Sequence, residues 1–161
     1  MGTSGDESET ERLNRNFAEI LQEIRVAQTG VQILFAFLLT IPFTLRFETT
    51  DGFQQGVYLT TLLLTVGATG LLVGPVAYHR LTSGRKMRPQ LITTANRLAL
   101  GGIGVLVLAL CACVLLITDM VLGLGWAIAI ASLTAIWLIS VWYVIPLAHR
   151  KEHFETNGLK K

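Results

Sequence analysis

Charge is the scarcest property of this sequence. Asp, Glu, Lys and Arg make up 15% of its 161 residues, against about 25% in an ordinary soluble domain. Four stretches contain none at all: 26–45, 57–78, 98–118 and 120–148, with lengths of 20, 22, 21 and 29 residues. A hydrocarbon layer about 30 Å thick is crossed by roughly 20 apolar residues in a helix. The pattern excludes a soluble globular domain, a nucleic-acid-binding domain and a disordered chain.

Other scarcities narrow the chemistry. There are two cysteines, Cys111 and Cys113. At a helical spacing of i and i+2 they point about 200° apart and cannot bridge each other. They sit in an apolar run with no His or carboxylate at ligand spacing, so they read as small core or lipid-facing residues rather than metal or redox groups. No Asp or Glu lies inside any of the four runs. An acid at the bilayer centre costs about 2.5–3.5 kcal/mol on insertion scales, so one retained there would mark an ion path. No nucleophile–base constellation, metal-ligand cluster or phosphate-binding loop is present. The expectation is no enzyme and no cofactor.

What is there is apolar helix. The four runs are apolar on every face, unlike the alternating strands of a membrane β-barrel. The fold class expected is all-α: a polytopic membrane protein with four transmembrane helices at about 26–47, 57–79, 97–118 and 123–147. Residues 1–25 form a cytoplasmic N-terminal segment, 26–147 the membrane domain and 148–161 a cytoplasmic tail. Within the first segment a Ser8-x-x-Glu11 capping pattern precedes Leu13, Phe17, Ile20, Leu21 and Ile24 at helical spacing. An amphipathic helix from about residue 9 is the result, lying on the membrane surface or docking on a second chain. No apolar leader core precedes it, so the first transmembrane helix is expected to direct targeting.

Orientation follows from Lys and Arg, which are retained on the cytoplasmic side. Arg12, Arg15 and Arg25 precede the first run. Arg80, Arg85, Lys86, Arg88 and Arg97 lie between the second and third, and Arg150, Lys151, Lys160 and Lys161 follow the fourth. Only Arg46 falls on the opposite side, 12 against 1 among the 13 basic residues. Both termini are therefore expected in the cytoplasm of a cell with this chain in its inner (plasma) membrane. The basic connection between the second and third helices is explained by topology alone, or by binding of anionic lipid.

Several groups stand out as candidates. On the first helix Arg25, Gln28 and Gln32 share a face within about 60°. An amide in hydrocarbon is costly unless bonded. Gln32 is therefore expected to face the bundle and bond another helix; the alternative is that the group lines a polar, water-accessible inner vestibule. Gln28 and Gln32, with Glu23 and Asp119, are the candidate ion-path residues. The second helix carries Thr61, Thr65 and Thr69, and Gly70 and Gly74 at GxxxG spacing; the fourth carries Ala127, Ala131 and Ala135 in register. Small residues in register let helices approach closely in lipid. Trp126 at one end and Trp142-Tyr143 at the other fit interfacial aromatic belts. Helix two exits as Pro75-Val-Ala-Tyr-His79-Arg80 and helix four as Pro146-Leu-Ala-His149-Arg150. The echo reads as a duplicated hairpin or as two headgroup anchors, His79-Arg80 and His149-Arg150. The expected partners are the lipid bilayer and either further copies of the chain or other membrane subunits.

The runs Glu11-Arg-Leu-Asn-Arg-Asn-Phe17 and Leu21-Gln-Glu-Ile-Arg-Val-Ala-Gln-Thr-Gly-Val-Gln-Ile-Leu-Phe-Ala-Phe37 carry a resemblance. So do Val57-Tyr-Leu, Pro75-Val-Ala-Tyr-His-Arg80 and Thr94-Ala-Asn-Arg-Leu-Ala-Leu100. Together they resemble a family of small actinobacterial four-helix membrane proteins of unknown function. Members are often labelled sodium:proton antiporter, and the resemblance implies that activity here as the alternative to a non-catalytic subunit or scaffold.

Overall fold

Helical periodicity is realised in both segments that the structure describes. The computed structural model describes residues 9–82 and 89–144, and the regular structure there is all-α. It comprises α1 (Glu9–Thr40), α2 (Gly52–Thr82), α3 (Pro89–Leu122) and α4 (Leu124–Ile139). Short 3-10 turns occupy Ile41–Phe43 and Phe47–Thr49, and α4 loosens into a π-helical segment at Ser140–Val144. Among the described residues four segments are long and apolar enough to cross a membrane: Leu21–Phe43, Gly52–Ala77, Thr93–Leu122 and Leu124–Val144. That count suggests a multi-pass membrane protein. Among the described residues large apolar side chains lie exposed along all four helices, including Val26, Leu63, Leu108 and Leu133.

Local chemistry places the ends. Pro42 has no amide hydrogen to continue the α-pattern, and α1 tightens into a 3-10 turn around it. Pro89 opens α3, a position where its missing N–H costs nothing. Pro75 instead lies inside α2. Its buried ring deprives the Leu71 carbonyl of a helical donor, yet the helix continues to Thr82. α1 is unbroken from Glu9, so the amphipathic stretch and the first apolar run form one helix. Ser8 of the capping pattern lies outside the described residues.

The chain packs as two compact units. One comprises Met1–Phe47 and Leu62–Leu106, the other Glu48–Thr61 and Val107–Lys161. In the first, α1 buries Ile24, Val31 and Leu38, spaced by seven residues along one line. α2 contributes Thr65, Ala68, Leu72 and Pro75, and α3 contributes Ala95, Ala99, Gly102 and Leu106. The contact between α2 and α3 is close at Gly102. A Cβ there would meet the Leu72 side chain at 2.8 Å. The small residue is what admits the neighbouring helix. In the second unit Thr61, Val107, Ala109, Leu116, Ala127 and Leu138 are buried.

The α3–α4 connection is one residue, Gly123, with φ 88° and ψ 164°. Only glycine adopts that region without strain. Its N–H donates to the Asp119 carbonyl at 3.0 Å, and its carbonyl accepts from the Ala127 N–H at 3.1 Å.

Candidate functional site

In the first unit α1, α2 and α3 enclose a cleft of about 110 Å³, room for several waters at roughly 10–15 Å³ each. Ile24, Ala27, Leu72, Ala99, Leu100 and Ile103 make its apolar walls, and Glu23 and Asn96 supply its polar groups. Each polar residue stands in the first turn of an apolar span, Glu23 just after Leu21 and Asn96 just after Thr93. Both are exposed, and neither makes a hydrogen bond to a described residue. One turn along α1, the half-buried Gln28 donates from Nε2 to the Leu72 carbonyl at 3.2 Å. Leu72 thus gives its side chain to the cleft wall and its carbonyl to Gln28. The sequence assigns an inter-helix bond to Gln32; the structure gives it to Gln28 instead. Gln32 differs: it lies on an exposed face of α1 and bonds no described residue. The edge of the buried face of α1 falls between two glutamines that share one broad side of the helix.

Asp119 belongs to a polar cluster in the second unit. Asp51 caps α2: its Oδ1 accepts from the Gln54 N–H at 2.8 Å, and its own N–H donates to Gln54 Oε1 at 3.4 Å. This is the reciprocal arrangement of a capping box. Gln54 Nε2 donates in turn to Asp119 Oδ2 at 2.9 Å. Asp119 is half-buried and its carboxylate is engaged, so it acts here as a tie between the start of α2 and the end of α3. Gln55 Nε2 donates to the Thr50 carbonyl at 3.3 Å and closes the same corner.

The packing candidates divide. Ala127 is fully buried, and Ala131 and Ala135 are half-buried. Gly74 approaches Leu98 of α3, where an added Cβ would stand 3.3 Å from the Leu98 side chain. Gly70 is exposed and faces open space. The threonine stripe serves its own helix: Thr61 Oγ1 donates to the Val57 carbonyl at 2.7 Å and Thr69 Oγ1 to the Thr65 carbonyl at 2.8 Å. Cys111 and Cys113 are half-buried free thiols. No group of three or more His, Cys, Asp or Glu able to hold a metal occurs among the described residues. The side chains of His79 and Arg80, and all of His149 and Arg150, lie outside the described residues.

Residues 6–146 match a family of unknown function, DUF6328. The chain belongs to that family. No curated protein and no solved structure matches it. Membership in DUF6328 covers all four apolar helices and carries no assigned activity.

Sequence reasoning misses Gly102, Asn96 and the pair Asp51 and Gln54. Gly102 is one of three glycines, with Gly101 and Gly104, near the start of a run, and nothing in the spacing singles it out. Asn96 stands at the edge of the third run, where a polar residue is ordinary. The Asp51-x-x-Gln54 box carries a signal that could have found it, because an acid three residues before a glutamine is a helix-start signature.

Proposed function

We propose that this DUF6328 chain is a multi-pass protein of the plasma membrane with both termini in the cytoplasm. We propose further that it serves as a non-catalytic subunit or scaffold, self-associating or joining a larger membrane complex. The observation that carries the reading is the state of α4. Of Leu124–Ile139 only Ala127 and Leu138 are buried. Trp126, Leu133, Ile136 and Trp137 are 65%, 68%, 63% and 62% exposed. Such a surface is tolerated against lipid tails or against other helices, and not in water. The polar chemistry agrees with a structural role. Gln28 and Asp119 are spent on ties between helices, and of the small residues Gly70 on α2, with the half-buried Ala131 and Ala135 on α4, is left to offer contact surface. Gentle extraction followed by native mass measurement tests the reading. Assemblies larger than one chain are expected; a lone monomer without partner would refute it.

A second reading, a small oligomeric ion transporter of the sodium:proton antiporter type, is favoured by one observation. Glu23 and Asn96 reach the same cleft without a partner in the described chain. Purified protein in liposomes tests it. On this reading sodium-dependent proton movement occurs and falls at least tenfold in Glu23→Gln. No movement, or movement indifferent to Glu23→Gln and Asp119→Asn, removes it.

A further inference from the structure

Gln32 stands at the midpoint of the span Leu21–Phe43, roughly 16 Å from either end at 1.5 Å per residue. It is exposed, and its amide bonds no described residue. Around α1 it lies about 100° from the buried line of Ile24, Val31 and Leu38. Arg25, Thr29, Ala36 and Thr40 share its side of the helix within about 80°, and all four are exposed. Their hydroxyls are spent locally: Thr29 Oγ1 donates to the Arg25 carbonyl at 3.1 Å and Thr40 Oγ1 to the Phe37 carbonyl at 2.7 Å. Gln32 is left as the one amide of α1 that is unspent at mid-span. An unpaired amide at that depth is expensive against lipid tails.

The partner follows from the chemistry of the group. A carboxamide carries two donors and an acceptor, so it is complementary to itself. Two identical chains inserted in the same direction, related by a two-fold axis along the membrane normal, bring each Gln32 opposite its counterpart at equal depth. Several other polar groups inside the spans are committed within the chain: Gln28 to Leu72, and Thr61, Thr69 and Thr134 to their own helices. Glu23 and Asn96 stand near span ends, and Ser132 on α4 offers a hydroxyl rather than an amide. A second copy therefore offers at mid-span the same unspent amide. Thr29 and Ala36, one turn to either side, are small enough for the two backbones to approach. Arg25, nearly two turns below, has the length to reach the headgroup layer.

We propose that α1 is the interface between two copies of this chain, a parallel pair closed by mutual hydrogen bonds between the two Gln32 amides. The proposal rests on the self-associating reading above and names its contact face. The test is oxidative cross-linking in native membranes of full-length chains carrying Cys111→Ala and Cys113→Ala. Single cysteines at Gln32, Thr29 or Ala36 are expected to give covalent dimers. One at Phe37, about 140° around the helix from Gln32, is expected to give none. In the otherwise unaltered chain, Gln32→Leu weakens association about three- to thirty-fold, while Gln32→Asn, which keeps the amide, recovers most of it.

Dimers that survive Gln32→Leu undiminished, and cross-link only through α4 positions such as Leu133, overturn this interface while leaving self-association standing. A chain that is monomeric in every form overturns both. A cysteine at Gln32 that reacts with a membrane-impermeant thiol reagent places the residue on water and overturns the pair. Cross-linking to a different polypeptide overturns the choice of partner.

Discussion

Gly102 and Gly70 separate two roles that a glycine-rich helix conceals. Gly102 is buried against Leu72, and an added Cβ would meet not only the tip of that side chain but its Cγ at 2.8 Å and the Leu71 Cβ at 3.3 Å, atoms held close to the α2 backbone. Gly102→Ala is therefore expected to lower stability by about 1–3 kcal/mol, the usual cost of overpacking. Gly70 faces open space, so Gly70→Ala is expected to leave the fold intact or stabilise it by up to ~1 kcal/mol through helix propensity. Thermal unfolding in one detergent, with the two variants side by side, checks both signs. Gly123 is the third case. Its φ of 88° and ψ of 164° make Gly123→Ala cost about 1–3 kcal/mol in backbone strain alone, read in the same assay. The sequence showed small residues in register but not which of them meet a neighbour. That depends on the rotation of one helix relative to the next, which a single periodic pattern leaves open. The same limit explains Gln32. Helical spacing put it on one side with Gln28, and only the packed arrangement drew the edge of the buried face between them.

At the scale of elements, the ends carry the specificity. α2 begins where Asp51 and Gln54 cap each other, and Gln54 extends the tie to Asp119 at the end of α3. Asp51→Ala removes the cap and is expected to cost about 0.5–2 kcal/mol. Asp119→Asn is expected to cost less, because its amide oxygen still accepts from Gln54. Chemical unfolding of the two variants ranks them, and a larger loss in Asp119→Asn would show that the corner depends on charge. Most of this level was legible. Pro42 ends α1 and Pro89 opens α3, because an imino nitrogen can neither continue nor interrupt a donor ladder at those places. Pro75 was harder, since α2 continues through it to Thr82.

Across the whole molecule, the four apolar helices were plain in the sequence because charge is missing from runs of the right length, and a missing charge needs no partner to be interpreted. The cleft was not plain, since Glu23, Leu72 and Asn96 come from three helices and meet only through packing. The charge distribution makes a prediction at this scale. In intact cells a cysteine at Arg85 is expected to be protected from an impermeant thiol reagent and one at Glu48 to be labelled, in chains lacking Cys111 and Cys113; the opposite pattern would invert the threading. The one-glycine join has a consequence for biogenesis. With a single residue between Leu122 and Leu124, no slack remains for the last segment to wait in an aqueous channel while its predecessor settles into lipid. In a chain threaded through the membrane as proposed, the two leave the insertion machinery together as a hairpin, and a ribosome stalled before the last helix has emerged holds the third without its mate.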